Sequence, residues 1–321
     1  MKKTVTVFAA TGVAGSACVN ELIAQGVFNV QVLARKQIEQ EKSSFRPKKE
    51  LSEKEKQFDV WQQQGVTILS ADTNDVSDLI PVLKGTDYLV SCVPFTATES
   101  QYPLIWAAKE AGVERFVPSE FGYIYEWEQF WPTDTVHRAL ARQKAFIRRV
   151  IELAGMDYTI IPAGFWPEFY MAEPVIIPGD PDQRVSWSAG VDVGRIIPHV
   201  LAHPLSRNAV CPVAATAYCS WTEMLDTRER LLGRSVERLY MDEAQLKQAY
   251  QAQSPGPAQA VLAISLAAAE CPEGMLLWAH WNAKHLPEFS GTPLDELFPN
   301  VIEPTVQSLI KEMQKSQQEQ G

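Results

Sequence analysis

Val5-Thr6-Val7-Phe8-Ala9-Ala10-Thr11-Gly12-Val13-Ala14-Gly15 is the stretch that decides how this chain folds. Thr4 to Phe8 alternates and is β-branched, as a strand requires, and Gly12 and Gly15 then mark a turn. Cys18, Val19, Leu22 and Ile23 follow at helical spacing, with a stop at Gly26. A strand, a glycine turn and a helix in that order let backbone N–H groups approach a pyrophosphate at the helix N-terminus. The spacing fits a G-x-x-G-x-x-G pattern in which Ala9 stands where the first glycine belongs. Alanine suits that position only if its φ is negative and its methyl stays clear of the ligand. The same residues would also serve a turn that merely packs helix on strand.

The alternation continues outward from this unit. Residues 30–33, 66–69, 88–92, 115–118 and 158–161 read as strands, and residues 76–83, 100–111 and 136–154 as helices. Short connections between them imply a parallel sheet covered on both faces, an α/β, Rossmann-type doubly wound fold. Residues 36–57 break the rhythm as a polar, Lys- and Glu-rich loop running into the next helix. Beyond Pro162 the pattern loosens around Phe165-Trp166-Pro167-Glu168-Phe169-Tyr170-Met171, and Asp192, Thr222 and Asp242 read as helix N-caps. The expected division is a nucleotide-binding domain over residues 1–160 and a smaller, partly interleaved C-terminal substrate-binding region over residues 161–321.

Composition narrows the function. The chain has 321 residues, 46% of them hydrophobic and 21% charged, which is ample for a buried core. Its 29 basic against 39 acidic side chains give a net charge of −10, an unfavourable balance for a nucleic-acid partner. Five cysteines, at positions 18, 92, 211, 219 and 271, form no C-x-x-C pair and fit neither a disulfide framework nor a metal site. Met1-Lys2-Lys3 and the apolar run to Val19 imitate a secretory signal, yet strand, turn and helix account for more of the same residues. No apolar stretch approaches the roughly 20 residues of a membrane span, so a cytoplasmic protein without a membrane partner is expected.

Two further positions carry chemistry. Val32-Leu33-Ala34-Arg35-Lys36 ends the second strand with two bases and no acid. Folds of this class read the ribose 2′ position there, with an acid for NAD and a base for NADP, so NADP(H) is favoured over a merely solvated arginine. Arg46, Lys48 and Lys49 could join such a site. On the helix from Val136, Leu140, Ile147, Ile151 and Ala154 line one face, and Lys144 falls beside that stripe. A lysine there must snorkel, pair or work; desolvation would suit it to proton transfer or to holding a ribose hydroxyl.

Together these residues resemble the isoflavone reductase-like and NmrA-like branch of atypical short-chain dehydrogenases. The resemblance is carried by Ala9-Ala10-Thr11-Gly12-Val13-Ala14-Gly15, by Val32-Leu33-Ala34-Arg35 and by Gln143-Lys144-Ala145. Its most specific part is Arg115-Phe116-Val117-Pro118-Ser119-Glu120-Phe121-Gly122. It implies that Thr11, Gly12, Val13 and Gly15 hold the pyrophosphate of NADPH/NADP+ and that Arg35 holds the 2′-phosphate. Ser91, Val93, Pro94 and Phe95 would line the cofactor, Ser119, Glu120 and Phe121 would lie near the nicotinamide, and Lys144 matches the catalytic lysine. Leu140, four residues before Lys144, replaces the tyrosine of ordinary short-chain dehydrogenases, as in the atypical branch.

The expected activity is NADPH-dependent reduction of a bulky aromatic or conjugated small molecule of specialised metabolism, by a monomer or homodimer. Tyr123, Trp127, Phe165, Trp166, Phe169 and Tyr170 could wall a pocket for a large flat substrate, or equally pack between domains. Two other activities stay open. One is an enzyme that keeps NADP(H) bound while its pocket promotes a cyclisation or rearrangement, and the other is an NmrA-like NADP-sensing regulator without turnover.

Overall fold

The computed structural model describes residues 2–36, 53–122, 136–170, 172–211 and 217–254, together with 262, 265–266, 306–311 and 314. Its first strand, β1 (Thr4–Phe8), is buried on both faces because it lies in the middle of a parallel sheet. Helix α1 (Val13–Gln25) follows, and Gly26 ends it at φ 62°, a left-handed conformation that suits glycine. The chain then builds β2 (Asn29–Arg35), α2 (Glu53–Gln63), β3 (Thr67–Ala71), α3 (Val76–Leu83) and β4 (Tyr88–Ser91). A 3₁₀ segment (Phe95–Ser100) leads into α4 (Gln101–Ala111), then β5 (Arg115–Val117), α5 (Val136–Leu153) and β6 (Asp157–Ile160).

The seven-stranded sheet has the order β3-β2-β1-β4-β5-β6-β9, where β9 is Ala209–Val210. Strand β1 pairs in parallel with β2, Thr4 opposite Asn29, and with β4, Val5 opposite Tyr88. Chain order therefore reverses at β1, and open α/β sheets bind ligands outside the carboxyl ends of the strands at such a point. The doubly wound parallel fold expected from the sequence is present.

Two units share the chain. The first comprises residues 1–119, 147–159 and 201–209, and the second residues 120–146, 160–200 and 210–321. The core of the first gathers Phe8, Leu33, Leu79, Leu89, Leu104 and Phe116 from the strands and their helices. In the second, β7 (Val175–Pro178) pairs with β11 (Arg238–Met241), and β8 (Arg184–Trp187) with β10 (Ala217–Ser220). Its core is aromatic, with Trp187 and Trp221 edge-on at a centroid distance of 4.8 Å.

Three helix starts deserve comparison with the sequence. Asp242 caps α8 (Glu243–Ala252) with a reciprocal Asp242–Gln245 box, as expected. Thr222 does not cap α7 (Trp221–Leu232); Ser220 does, in a box with Glu223. Helix α6 (Gly190–Ala202) starts two residues before Asp192, which sits inside its first turn. The polar stretch after β2 also turns helical earlier than expected, at Glu53. Among the described residues no helix is long and apolar enough to cross a membrane, and no cluster of His, Cys, Asp and Glu could hold a metal.

Candidate active site

The turn between β1 and α1 is built for close approach. Gly12 donates its N–H to the carbonyl of Ala9 at 3.3 Å. Ala9 adopts φ 57°, so the expected negative φ is corrected: the alanine takes the left-handed conformation that its glycine counterpart would adopt freely. A Cβ on Gly15 would meet the Ala9 carbonyl oxygen at 2.5 Å, so only glycine lets the helix start this near the strand. Helix α1 has no side-chain cap at Gly12 and no acid in its first turn. The positive end of its dipole is thus uncompensated by side chains, as an anion site requires. Thr11 and Val13 are half-buried and Gly12 is exposed.

At the carboxyl end of β2, Arg35 is exposed and its guanidinium lies 5.8 Å from the centroid of the Phe8 ring. The ring attracts the cation without neutralising it. No carboxylate among the described residues pairs with Arg35, whereas Lys36 lies 3.9 Å from Asp78 and is itself exposed. Arg46, Lys48 and Lys49 fall outside the described residues.

The ends of β4 and β5 are fastened to each other. The Ser119 hydroxyl donates to the Val93 carbonyl at 2.7 Å, and the Ser119 N–H donates to Gln101 Oε1 at 2.8 Å. The other end of the Gln101 amide donates to the Thr98 carbonyl at 3.2 Å. Gln101, fully buried, was not singled out by the sequence; a glutamine at the first helical position, ahead of the apolar run Leu104 to Ala108, is the signal that could have found it. Ser91 and Val93 are buried, the Ser91 hydroxyl without a hydrogen-bond partner, while Pro94 is exposed and Phe95 half-buried. Ser119 therefore spends both its N–H and its hydroxyl on positioning.

In the second unit Glu120, Phe121 and Lys144 are all buried, Lys144 with 6% of its surface exposed. Lys144 shares the inward side of α5 with Ala141 and Arg148. Gly122 is held by backbone bonds, because Ala163 and Gly164 both donate to its carbonyl, at 2.9 and 3.0 Å. Trp166 adds an indole N–H bond to the Phe121 carbonyl at 2.8 Å.

The aromatic residues expected to wall a pocket divide into two sets. Phe165 and Tyr170 are core residues of the second unit: Phe165 packs 5.4 Å from Trp187, and Tyr170 packs 5.8 Å from Trp221. That placement accords with packing. Trp166, half-buried, and Phe169, 45% exposed, lie outside that core cluster and stack on each other at 5.9 Å and 19°. Between them in sequence lies Glu168. Burial pushes its carboxyl up to about 7, with Asp192 acting in the same direction and the Gly190 N–H against it. Tyr123 and Trp127 lie outside the described residues.

This geometry can be set beside known proteins. The model of the NmrA-like family matches residues 1–271. The chain belongs to the NmrA-like family. Phenylcoumaran benzylic ether reductase 1 of Arabidopsis thaliana is 28% identical over 263 residues, covering 77% of this chain and 82% of its own. The crystal structure of an isoflavone reductase superposes with a TM-score of 0.77 at 24% identity, covering 97% of this chain and 99% of that one. A binary complex of leucoanthocyanidin reductase with NADPH, from Vitis vinifera, gives the same TM-score at 21% identity and the same coverages. At those identities the two structures establish the shared fold. In this NmrA-like chain the glycine turn joins β1 to α1, Arg35 ends β2, and the buried Lys144 lies on α5.

Proposed function

We propose that this NmrA-like protein is an NADPH-dependent reductase of a bulky aromatic or conjugated small molecule. The observation that carries the reading is Arg35: an exposed cation, unpaired among the described residues and seated over Phe8 beside the start of α1. A 2′-phosphate is the group such a cation suits at the end of the second strand. The residues present fit the cofactor: Gly15 lets α1 start directly against the Ala9–Ala10 backbone, where a Cβ would clash, and α1 begins without a side-chain cap.

When bound, NADPH supplies the hydride. The Thr11, Gly12, Val13 and Gly15 backbone would hold the pyrophosphate, and Arg35 with Lys36 the 2′-phosphate. Ser91, Val93, Pro94 and Phe95 would line the dinucleotide, while Ser119, Glu120 and Phe121 would lie near the nicotinamide. Lys144, buried and so shielded from bulk water, would steady a ribose hydroxyl and assist proton transfer to the reduced substrate. Residues 1–160 would serve the dinucleotide and 161–321 the substrate, with Trp166 and Phe169 as the aromatic surface offered to it. The relatives named above as reductases support the same chemistry.

The test is to incubate the protein with NADPH and a panel of phenylpropanoid-type compounds, following NADPH oxidation and product mass. A product two hydrogens heavier, with equimolar NADPH consumed, is expected. A product of unchanged mass with NADPH unspent would overturn the reductase in favour of a rearrangement.

A further inference from the structure

The loop that follows β4 is tied down through one glutamine. Gln101, the first residue of α4, is fully buried. Its Oε1 accepts from the Ser119 N–H at 2.8 Å, and its Nε2 donates to the Thr98 carbonyl at 3.2 Å. Ser119 extends the tie, its hydroxyl donating to the Val93 carbonyl at 2.7 Å. Thr98 extends it from the other end, its hydroxyl donating to the Phe95 carbonyl at 2.9 Å. Val93, Ser119, Gln101, Thr98 and Phe95 thus form one chain of hydrogen bonds around Pro94, which is exposed. An apolar side chain would fill the same core without the desolvation that an amide suffers there, so burial alone does not call for glutamine.

The position of this chain in the sheet gives it a use. The order β2-β1-β4-β5 puts Arg35, at the end of β2, on one side of β1 and Ser119, two residues past β5, on the other. A dinucleotide in such a sheet crosses the carboxyl ends of the strands at the switch point, with its pyrophosphate on the β1–α1 turn. With the 2′-phosphate at Arg35, the nicotinamide half is left the ends of β4 and β5, the latter roughly 10 Å from β1 at the usual strand spacing. The floor on that side is the loop from Val93 to Thr98 together with Ser119, the two pieces that Gln101 joins.

We propose that Gln101 is a positioning residue for the nicotinamide half of the dinucleotide. It holds the loop after β4 and the end of β5 in one arrangement, and without it that half loses its seat while the adenosine half keeps its own. The assignment rests on the reading of the ligand as NADP(H) and adds the residue that orders one half of its site. Gln101 is buried and acts through Ser119 and Thr98 rather than by touching the ligand. A floor already ordered in the free protein need not be ordered when the ligand binds, and affinity rises by that difference.

The experiment titrates the protein with NADP+ and with adenosine 2′,5′-bisphosphate, which has both adenosine phosphates and no nicotinamide. Gln101→Leu should bind NADP+ about tenfold more weakly than wild type and the bisphosphate within about twofold of it. A merely structural loss weakens both ligands alike, so the bisphosphate also reports that the variant has folded. Ser119→Ala breaks the same chain at its Val93 link, leaves Gln101 in place and so guards against a folding failure in the leucine variant. It should lose about threefold in NADP+ affinity, again with the bisphosphate unchanged. Unaltered NADP+ affinity in either variant, or an equal loss of both ligands in Ser119→Ala, would overturn the proposal. Those results leave the cofactor reading standing so long as wild type binds both ligands, whereas a wild type that binds neither overturns that reading together with this one.

Discussion

A Cβ on Gly15 would stand 2.5 Å from the Ala9 carbonyl oxygen and 2.8 Å from the Ala10 Cα, both of them backbone atoms with nowhere to go. Gly15→Ala should therefore cost about 3 kcal/mol or more in urea unfolding. Ala9 is the other half of the relationship, at φ 57°. Ala9→Gly should stabilise the fold by about 0.5–1 kcal/mol, since relief of the left-handed conformation exceeds the entropy glycine adds to the unfolded chain. A loss of stability in Ala9→Gly would mean that the methyl contributes packing that outweighs its backbone.

Gln101 holds the Ser119 N–H and the Thr98 carbonyl at once. Gln101→Leu leaves both without partners in a buried place and should cost about 2–4 kcal/mol, roughly two unsatisfied groups. Thermal melts check it; a change within about 0.5 kcal/mol, the ordinary range of a surface substitution, would show that the clamp is not needed.

Lys144→Ala should lower turnover at least about 100-fold, the scale of a lost proton-transfer group. NADPH affinity should stay nearly unchanged, because the residues proposed to hold the phosphates, Gly12, Gly15 and Arg35 among them, are left in place. Single-turnover kinetics beside a binding titration separate the two effects, and retained activity would remove Lys144 from the mechanism.

Glu168 carries a sign that can be read in stability. Its carboxyl is raised from 4.5 to about 7, so the folded state binds the proton more tightly than the unfolded one. The associated stability is fully present below about pH 4.5 and is lost as pH rises through about 7, a span of about 3 kcal/mol at most. Glu168→Gln stays neutral throughout and keeps the Gly190 bond. Its melting temperature should match wild type at pH 4.5 and exceed it at pH 8; the same difference at both would contradict a titrating Glu168.

The parts of the fold that were legible in the sequence are those fixed by local period and punctuation. Strand β1, helix α1 and Gly26 follow from β-branched alternation, helical spacing and a left-handed stop. Asp242 was readable as a cap, and so was the Ser220–Glu223 spacing, which outranks Thr222 because only it satisfies N–H groups from both sides. What stayed hidden depends on distant partners. Gln101 meets Ser119 and Glu168 meets Gly190, pairs that no window of sequence joins. The proline-punctuated run from Phe165 to Tyr170 has no period, so nothing local divides the core rings Phe165 and Tyr170 from Trp166 and Phe169, which lie outside that core.

Most direct for the central claim is a paired titration of wild type and Arg35→Ala with NADPH and NADH, followed by tryptophan fluorescence. An exposed arginine over Phe8 reading a 2′-phosphate predicts NADPH at least about tenfold tighter than NADH in wild type, with that preference lost in Arg35→Ala and NADH affinity little altered. Equal affinity of wild type for both dinucleotides, or binding of neither, would contradict the account.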